Sequence, residues 1–125
     1  MAKGKHILLC DDDVVLTEMY AERLKAAGYE VTVVHDGEAG LEQAKKKPDL
    51  ILLDIMMPKM NGLDVLKALK SNDELKEIPT ILLTALIQEL DKVKGIGGGA
   101  VDYYVKSEVM PGDLIKRIDA ILGKK

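Results

Sequence analysis

The sequence predicts an α/β fold in which a five-stranded parallel sheet is covered by helices on both faces. Five short apolar runs are rich in Ile, Leu and Val, and several are nearly continuous, as is typical of strands buried on both sides. Segments with apolar residues every three to four positions lie between these runs and indicate helices. Because the two kinds of segment alternate along the chain, parallel strands joined by helices are favoured.

Each element has its own signal in the sequence. The predicted strands are residues 6–10, 30–34, 49–53, 80–83 and 101–105. The first helix shows apolar positions from Leu16 to Ala27 and is ended by Gly28, and the second covers 38–46, before Pro48. The third begins after Gly62, the fourth covers about 88–94, and the fifth follows Pro111. The glycine-rich run at 95–99 is expected to end the fourth helix early.

Length and composition favour a single cytoplasmic domain. The chain has 125 residues, 18 basic and 21 acidic, and a net charge of −3, which gives no general attraction to nucleic acid or anionic lipid. No apolar stretch approaches the roughly 20 residues of a membrane span. The single Cys10 cannot form an internal disulfide, and with His6 and His35 it cannot complete a closed zinc site.

Candidate reactive residues follow four of the predicted strands. Asp11, Asp12 and Asp13 follow the first strand, and the third, fourth and fifth strands are followed by Asp54, Thr84 and Lys106 respectively. The carboxyl ends of parallel strands form the ligand crevice of open α/β sheets, so these side chains are expected to converge there. Taken singly, each has an ordinary explanation, and Asp13 is expected only to cap the first helix.

Several carboxylates in one crevice repel one another unless they are protonated or neutralised by a cation. Carboxylates without a set of Cys and His ligands are typical of a hard, oxygen-binding ion, and Mg²⁺ suits an open, partly hydrated site. Such an ion beside a further carboxylate, a lysine and a hydroxyl indicates phosphate chemistry. The sequence has no Walker loop, so a bound nucleotide is not expected, and an Asp can itself accept a phosphoryl group.

Four segments at consistent spacing resemble the response regulator receiver (CheY-like) family of two-component signalling. They are residues 7–13 (ILLCDDD), 52–62 (LLDIMMPKMNG), 83–85 (LTA) and 102–106 (DYYVK). The resemblance covers about residues 5–122. It implies a doubly wound (βα)5 fold with the flavodoxin-like strand order 2-1-3-4-5.

The resemblance also implies roles for the acidic residues. Asp54 would accept a phosphoryl group from a phosphohistidine on a sensor histidine kinase or a phosphotransfer protein. Asp12, Asp54 and the backbone carbonyl of Met56 would coordinate Mg²⁺, and Asp11 would act through a bound water. The protein would be a signalling switch that catalyses only its own phosphorylation and slow dephosphorylation.

The remaining implied roles concern the switch. Lys106 would pair with a phosphoryl oxygen, Thr84 would move to bond another, and Tyr103 would then rotate inward, with Tyr104 on the other face. The output would be a change on the face formed by the fourth helix, the fifth strand and the fifth helix, read by a downstream protein or by an effector domain absent from this sequence. Met56 and the apolar Leu86 are expected to hinder attacking water and prolong the phosphorylated state.

The sequence leaves open the peptide conformation after Lys106, the extent of the chain and the oligomeric state. Ser107 follows Lys106 where most of the family has a cis proline, so a cis peptide is not assumed. The chain is either a stand-alone receiver or part of a longer regulator. It is either a monomer or a weak dimer through the output face, where the charged residues are Lys94, Asp102, Asp113 and Arg117.

Three rival functions use a similar fold. A phosphorylation-independent binding module usually lacks one of the acidic residues or the lysine, which this chain keeps. A phosphatase of the haloacid-dehalogenase type needs an Asp two residues after its nucleophile, where this chain has Met56. A flavin carrier would meet repulsion between its phosphate and the carboxylates of the crevice.

Overall fold

The computed structural model describes residues 4–85 and 99–123. The strands are β1 (His6–Cys10), β2 (Glu30–Val34), β3 (Leu50–Asp54), β4 (Thr80–Thr84) and β5 (Asp102–Val105). The described helices are α1 (Val14–Ala26), α2 (Gly37–Ala44), α3 (Gly62–Lys70) and α4 (Pro111–Leu122). The helix predicted at 88–94, and the glycine run apart from Gly99, lie outside the described residues.

The five strands form one parallel sheet in the order β2-β1-β3-β4-β5, which confirms the predicted fold class and strand order. The central strands β1, β3 and β4 are buried almost throughout. This explains why their sequences are continuously apolar rather than alternating. None of the helices in the described ranges is long and apolar enough to cross a bilayer.

Alternate residues of each central strand enter one of two core layers, because successive side chains of a strand point to opposite faces. The first core layer joins the sheet to α1 and α4 and includes Ile7, Leu9, Leu24, Leu52, Leu114 and Ile118. The second core layer joins the sheet to α2 and α3 and includes Leu8, Ile51, Leu53, Ala44, Leu66 and Leu69. Each fully buried Leu or Ile stabilises the fold by roughly 1.5–3 kcal/mol. The sheet is thereby held rigidly between two helical layers.

Strands β3 and β4 extend one residue further than predicted and include Asp54 and Thr84. Asp54 is paired with Leu83 across the sheet, and the amide of Ile55 donates to the Leu83 carbonyl at 3.1 Å. Likewise, the amide of Lys106 donates to the Thr84 carbonyl at 2.7 Å. Backbone pairing therefore continues into the site and fixes the directions of these side chains.

Smaller differences occur at other element boundaries. Strand β3 starts at Leu50 rather than at 49, β5 starts at Asp102 rather than at 101, and α2 covers 37–44 rather than 38–46. Helix α2 starts earlier because the Asp36 side chain caps it by accepting from the Ala39 amide at 2.8 Å. These shifts leave the order of the elements unchanged.

Gly62 lies where the first turn of α3 packs directly against the end of β3. Its amide donates to the Ile55 carbonyl at 2.8 Å. A Cβ atom at this position would lie 2.1 Å from the Asp54 carbonyl oxygen and 2.8 Å from the Ile55 Cα. Since these neighbours are backbone atoms of a buried strand, they cannot move aside cheaply, and only glycine fits.

We expect Gly62→Ala to lower the free energy of unfolding by about 1–3 kcal/mol, the usual cost of overpacking. Gly112→Ala is the matched control, because a Cβ there meets nothing within 4 Å and alanine favours helix. Urea unfolding followed by circular dichroism measures both variants. Equal stability of the two variants would contradict the packing constraint at Gly62.

Candidate functional site

The predicted reactive residues converge at the carboxyl edge of the sheet. Asp11 and Asp12 lie between β1 and α1, Asp54 ends β3, and Lys106 follows β5. One carboxylate oxygen from each of Asp11, Asp12 and Asp54 lies within 4.8 Å of the other two. Asp11 and Asp54 are buried, whereas Asp12 is exposed at the mouth of the crevice. The predicted acidic pocket is therefore present.

Backbone hydrogen bonds hold Asp11 at the base of this pocket. Its amide donates to the Val34 carbonyl at 3.1 Å and so continues the β1–β2 ladder by one residue. Its Oδ1 accepts from the Asp13 amide at 3.0 Å. The Asp13 carboxylate instead accepts from the Leu16 amide at 3.0 Å, which confirms that the third aspartate of the run caps α1.

Lys106 lies between the two buried carboxylates. Its Nζ is 2.6 Å from Asp11 Oδ2 and 3.2 Å from Asp54 Oδ2, and its side chain is only 15% exposed. Burial alone would lower the pKa of Lys106, but the hydrogen bond to Asp11 and the charges of both carboxylates outweigh burial and raise it. Lys106 is therefore a firmly charged ammonium at neutral pH.

Asp54 is left with more negative charge around it than Lys106 can balance. Burial and the charge of Asp11 raise the pKa of the Asp54 carboxyl to about 7, although Lys106 opposes them. Its Oδ1 is buried and has no hydrogen-bond donor among the described residues. Lys106 supplies one positive charge against three carboxylates, and all the donors are oxygen atoms. This arrangement fits a hard divalent cation.

The other predicted site residues occupy the surroundings of this pocket. Thr84 is fully buried at the end of β4, on the strand beside Asp54. The Met56 side chain, two residues beyond Asp54, is 54% exposed. Tyr103 packs against the second core layer and Tyr104 against the first, so the prediction that they face opposite sides is confirmed. Leu86, predicted to hinder water, lies outside the described residues.

The structure settles the conformation of the peptide bond after Lys106, which the sequence left open. No cis peptide occurs in the described ranges, so the bond between Lys106 and Ser107 is trans. The carbonyl of Val105 accepts from the amides of Glu108 and Val109, at 2.9 and 3.2 Å, and this turn leads into α4. The loop that carries Lys106 is thus stabilised by hydrogen bonds of its own backbone.

Two of the charged residues considered for a dimer contact pair within the subunit. Arg117 Nε donates to Asp102 Oδ2 at 2.7 Å, and the Tyr104 hydroxyl donates to the same oxygen at 2.9 Å. Burial would raise the pKa of Asp102, but hydrogen bonds from the Tyr103 amide, Tyr104 and Arg117 lower it. These charges therefore have partners without a second subunit. Lys94, the other basic residue considered for this contact, lies outside the described residues.

The Cys10 thiol lies next to Asp11 but is poorly suited to chemistry. It is buried, and burial together with the charges of Asp11 and Asp36 raises its pKa to about 12. The reactive form of cysteine is the thiolate, which is scarce at neutral pH under these conditions. The reactive groups of the site are therefore its carboxylates, the ammonium and the Thr84 hydroxyl.

His35 is a site neighbour that the sequence analysis did not identify. It was considered there only as a zinc ligand, yet its Nδ1 lies 2.9 Å from the Asp11 carbonyl oxygen. Its position directly after β2, at the same edge of the sheet, was the available signal. The next two residues contact the β3–α3 loop: Asp36 pairs with Lys59 at 3.9 Å, and the Gly37 amide donates to the Pro58 carbonyl at 3.3 Å.

Metal-free protein is expected to lose stability as the pH rises from about 4 to about 7. A raised carboxyl pKa in the folded state stabilises the fold below the unfolded pKa of Asp, and this contribution is lost as pH rises through the folded pKa. At pH 8 with EDTA, Asp54→Asn should therefore be more stable than wild type, on the order of 1–3 kcal/mol. At pH 5 the difference should shrink.

Urea unfolding at both pH values measures this difference, with Asp13→Asn as the matched control. An asparagine can still cap α1 at position 13, so the control should follow wild type at both pH values. A stability difference between wild type and Asp54→Asn that does not change with pH would contradict the charge imbalance.

Comparisons with known proteins agree with this geometry. A family model described as the response regulator receiver domain matches residues 7–119. The transcriptional regulatory protein CpxR of Escherichia coli is 47% identical over 118 residues, which cover 94% of this chain and 49% of CpxR. This chain spans about half the length of these curated relatives, CpxR and the PhoP regulator of Bacillus subtilis.

Solved structures share the whole fold. The chemotaxis response regulator CheY4 of Vibrio cholerae is 31% identical, with a TM-score of 0.84 and coverage of 95% of this chain and 99% of that one. The receiver domain of the sensor histidine kinase PA1611 of Pseudomonas aeruginosa is 27% identical, with a TM-score of 0.86 and coverage of 96% and 98%. That structure has a magnesium ion coordinated in its active site cleft.

Proposed function

Because the chain belongs to the response regulator receiver family, we propose that Asp54 is its phosphoacceptor and that this step operates a signalling switch. The position of the Lys106 ammonium, between the Asp11 and Asp54 carboxylates, supports this proposal. A buried carboxylate beside a fixed ammonium can accept a phosphoryl group to form an acyl phosphate. The ammonium then partly neutralises the negative charge of the phosphoryl oxygens. Asp54 ends β3 at the carboxyl edge of the sheet, the edge at which open α/β sheets bind their ligands.

Mg²⁺ is the proposed cofactor. The Asp12 and Asp54 carboxylates and the Met56 carbonyl would hold it, with Asp11 acting through a bound water. When bound, the ion supplies positive charge for the phosphoryl oxygens. The support from this chain is the buried Asp54 oxygen without a donor among the described residues and the excess of carboxylates over Lys106. The magnesium ion in the related PA1611 receiver is consistent with this assignment.

The proposed donor is a phosphohistidine on a sensor histidine kinase or a phosphotransfer protein. A carboxylate oxygen of Asp54 attacks phosphorus, the bond between phosphorus and the imidazole nitrogen breaks, and its electron pair stays on the imidazole. The reaction needs the deprotonated carboxylate. Lys106 favours this form, whereas burial and Asp11 oppose it. In this proposal the chain catalyses only its own phosphorylation, from that donor, and its own slow dephosphorylation.

In the proposed switch, the negative charge of the phosphoryl group on Asp54 attracts Lys106 and Thr84. Lys106 pairs with a phosphoryl oxygen, Thr84 moves to donate to another, and Tyr103 fills the space that Thr84 leaves. Tyr103 belongs to β5, which is an edge strand of the sheet and itself part of the output face, so its movement would change that face. We propose that this face is read by a downstream protein or by an effector domain, with residues 1–125 as a single receiver domain.

Phosphorylation of Asp54 is tested with acetyl phosphate and Mg²⁺. Wild type should gain the mass of one phosphoryl group, and Asp54→Asn should gain none, because an amide is not a nucleophile for this transfer. Asp13→Asn is the control that keeps a helix cap and should be labelled like wild type. Stoichiometric labelling of the Asp54→Asn variant would refute the assignment.

Metal binding is tested by calorimetric titration with Mg²⁺, since the chain has no Trp to report binding by fluorescence. Asp12→Asn should weaken the Mg²⁺ affinity about tenfold or more, because it replaces a negatively charged oxygen ligand with a neutral one. Asp13→Asn again serves as the control and should bind like wild type. An unchanged affinity in Asp12→Asn would count against its role as a ligand.

A further inference from the structure

The His35 side chain reaches from the end of β2 to the loop that carries the acidic residues. Its Nδ1 lies 2.9 Å from the Asp11 carbonyl oxygen. A carbonyl oxygen only accepts hydrogen bonds, so Nδ1 carries a proton and donates it. We propose that His35 is a positioning residue that sets the Mg²⁺ affinity of the site by orienting the peptide between Asp11 and Asp12. This inference rests on the proposed function, in which Asp12 is a metal ligand.

The orientation of this peptide matters because Asp12 has little else to hold it. The Asp11 carbonyl and the Asp12 amide share one rigid plane, so fixing the carbonyl fixes the direction in which the Asp12 Cα leaves the loop. The Asp12 side chain is exposed, and no hydrogen bond from the described residues holds its carboxylate. Its place in the acidic cluster is therefore set by its backbone.

Asp11 itself is held by contacts on its other groups. Its amide bonds to the Val34 carbonyl, and its carboxylate is engaged by the Asp13 amide and Lys106. The hydrogen bond from His35 holds the Asp11 carbonyl, which is part of the peptide group leading to Asp12. His35 thus acts on the exposed ligand more than on the buried one.

The backbone on both sides of His35 is rigid enough for this task. On one side, Val34 belongs to β2 and accepts from the Asp11 amide at 3.1 Å. On the other side, Asp36 caps α2 through the Ala39 amide, and the Gly37 amide donates to Pro58. The imidazole is exposed, so its replacement removes the hydrogen bond without opening a cavity.

Two variants separate the hydrogen bond from the bulk of the side chain. His35→Leu keeps an apolar side chain of similar size but removes the donor, whereas His35→Asn places an amide donor close to the position of Nδ1. We expect His35→Leu to weaken Mg²⁺ binding about three- to tenfold, the range for one ordinary hydrogen bond. His35→Asn should stay within about twofold of wild type.

The readouts are calorimetric titration with Mg²⁺ at pH 8 and urea unfolding in EDTA. His6 is the matched control, because it lies at the opposite end of β1 and bonds to Thr32 through Nε2. His6→Leu should leave the Mg²⁺ affinity unchanged. The free energy of unfolding without metal should be the same in wild type and both His35 variants. If His35 had a merely structural role, the His35→Leu variant would be less stable. The ¹⁵N spectrum of wild type should show His35 with a proton on Nδ1.

The Mg²⁺ affinities and the metal-free stabilities of the His35 variants decide whether His35 is a positioning residue. Equal Mg²⁺ affinity in wild type and His35→Leu, or equal weakening in His35→Leu and His35→Asn, overturns the positioning role while leaving Asp54 and its phosphorylation intact. Loss of metal-free stability in His35→Leu also overturns it, because His35 would then be structural. A wild-type chain that neither binds Mg²⁺ nor accepts a phosphoryl group defeats the proposed function, and this inference with it.

Discussion

The structure of the site depends on one ammonium shared by two buried carboxylates. Lys106 contacts both Asp11 and Asp54, and the remaining negative charge is large enough to raise the pKa of Asp54 to about 7. A protein interior tolerates such an imbalance only where the surrounding fold holds the groups in place. Here the parallel sheet does so, because each charged side chain leaves the end of a strand that is locked between two helical layers.

The same constraint explains the tight packing around Asp54. The residue is the last one of a fully buried strand, its neighbour Ile55 still pairs with β4, and Gly62 closes directly over its carbonyl. The Asp54 carboxylate is buried close to that of Asp11, and the two groups repel each other. A proton or a cation can relieve this repulsion. The backbone at Asp54 is thus held in place, while the charge of its carboxylate can change, and this combination suits a switch.

Much of this arrangement could be predicted from the sequence, because strand order and the carboxyl edge follow from an alternating pattern of apolar runs. The strand ends were less predictable. Asp54 and Thr84 are polar, so hydropathy placed them outside the strands, although backbone pairing continues through both. The contact of His35 with Asp11 could not be predicted, since it depends on the direction of an imidazole ring at a loop. Likewise, sequence showed Lys106 near the carboxylates but not its closer approach to Asp11.

Tyr103 and Tyr104 are consecutive residues of an edge strand, and they pack into different core layers. Tyr104 is also tied to α4 through the oxygen of Asp102 that Arg117 shares. A shift of this strand along or across the sheet edge therefore disturbs the packing on both sides at once. Packing on the two faces of the sheet is therefore not independent at this edge, because one two-residue segment contributes to both core layers.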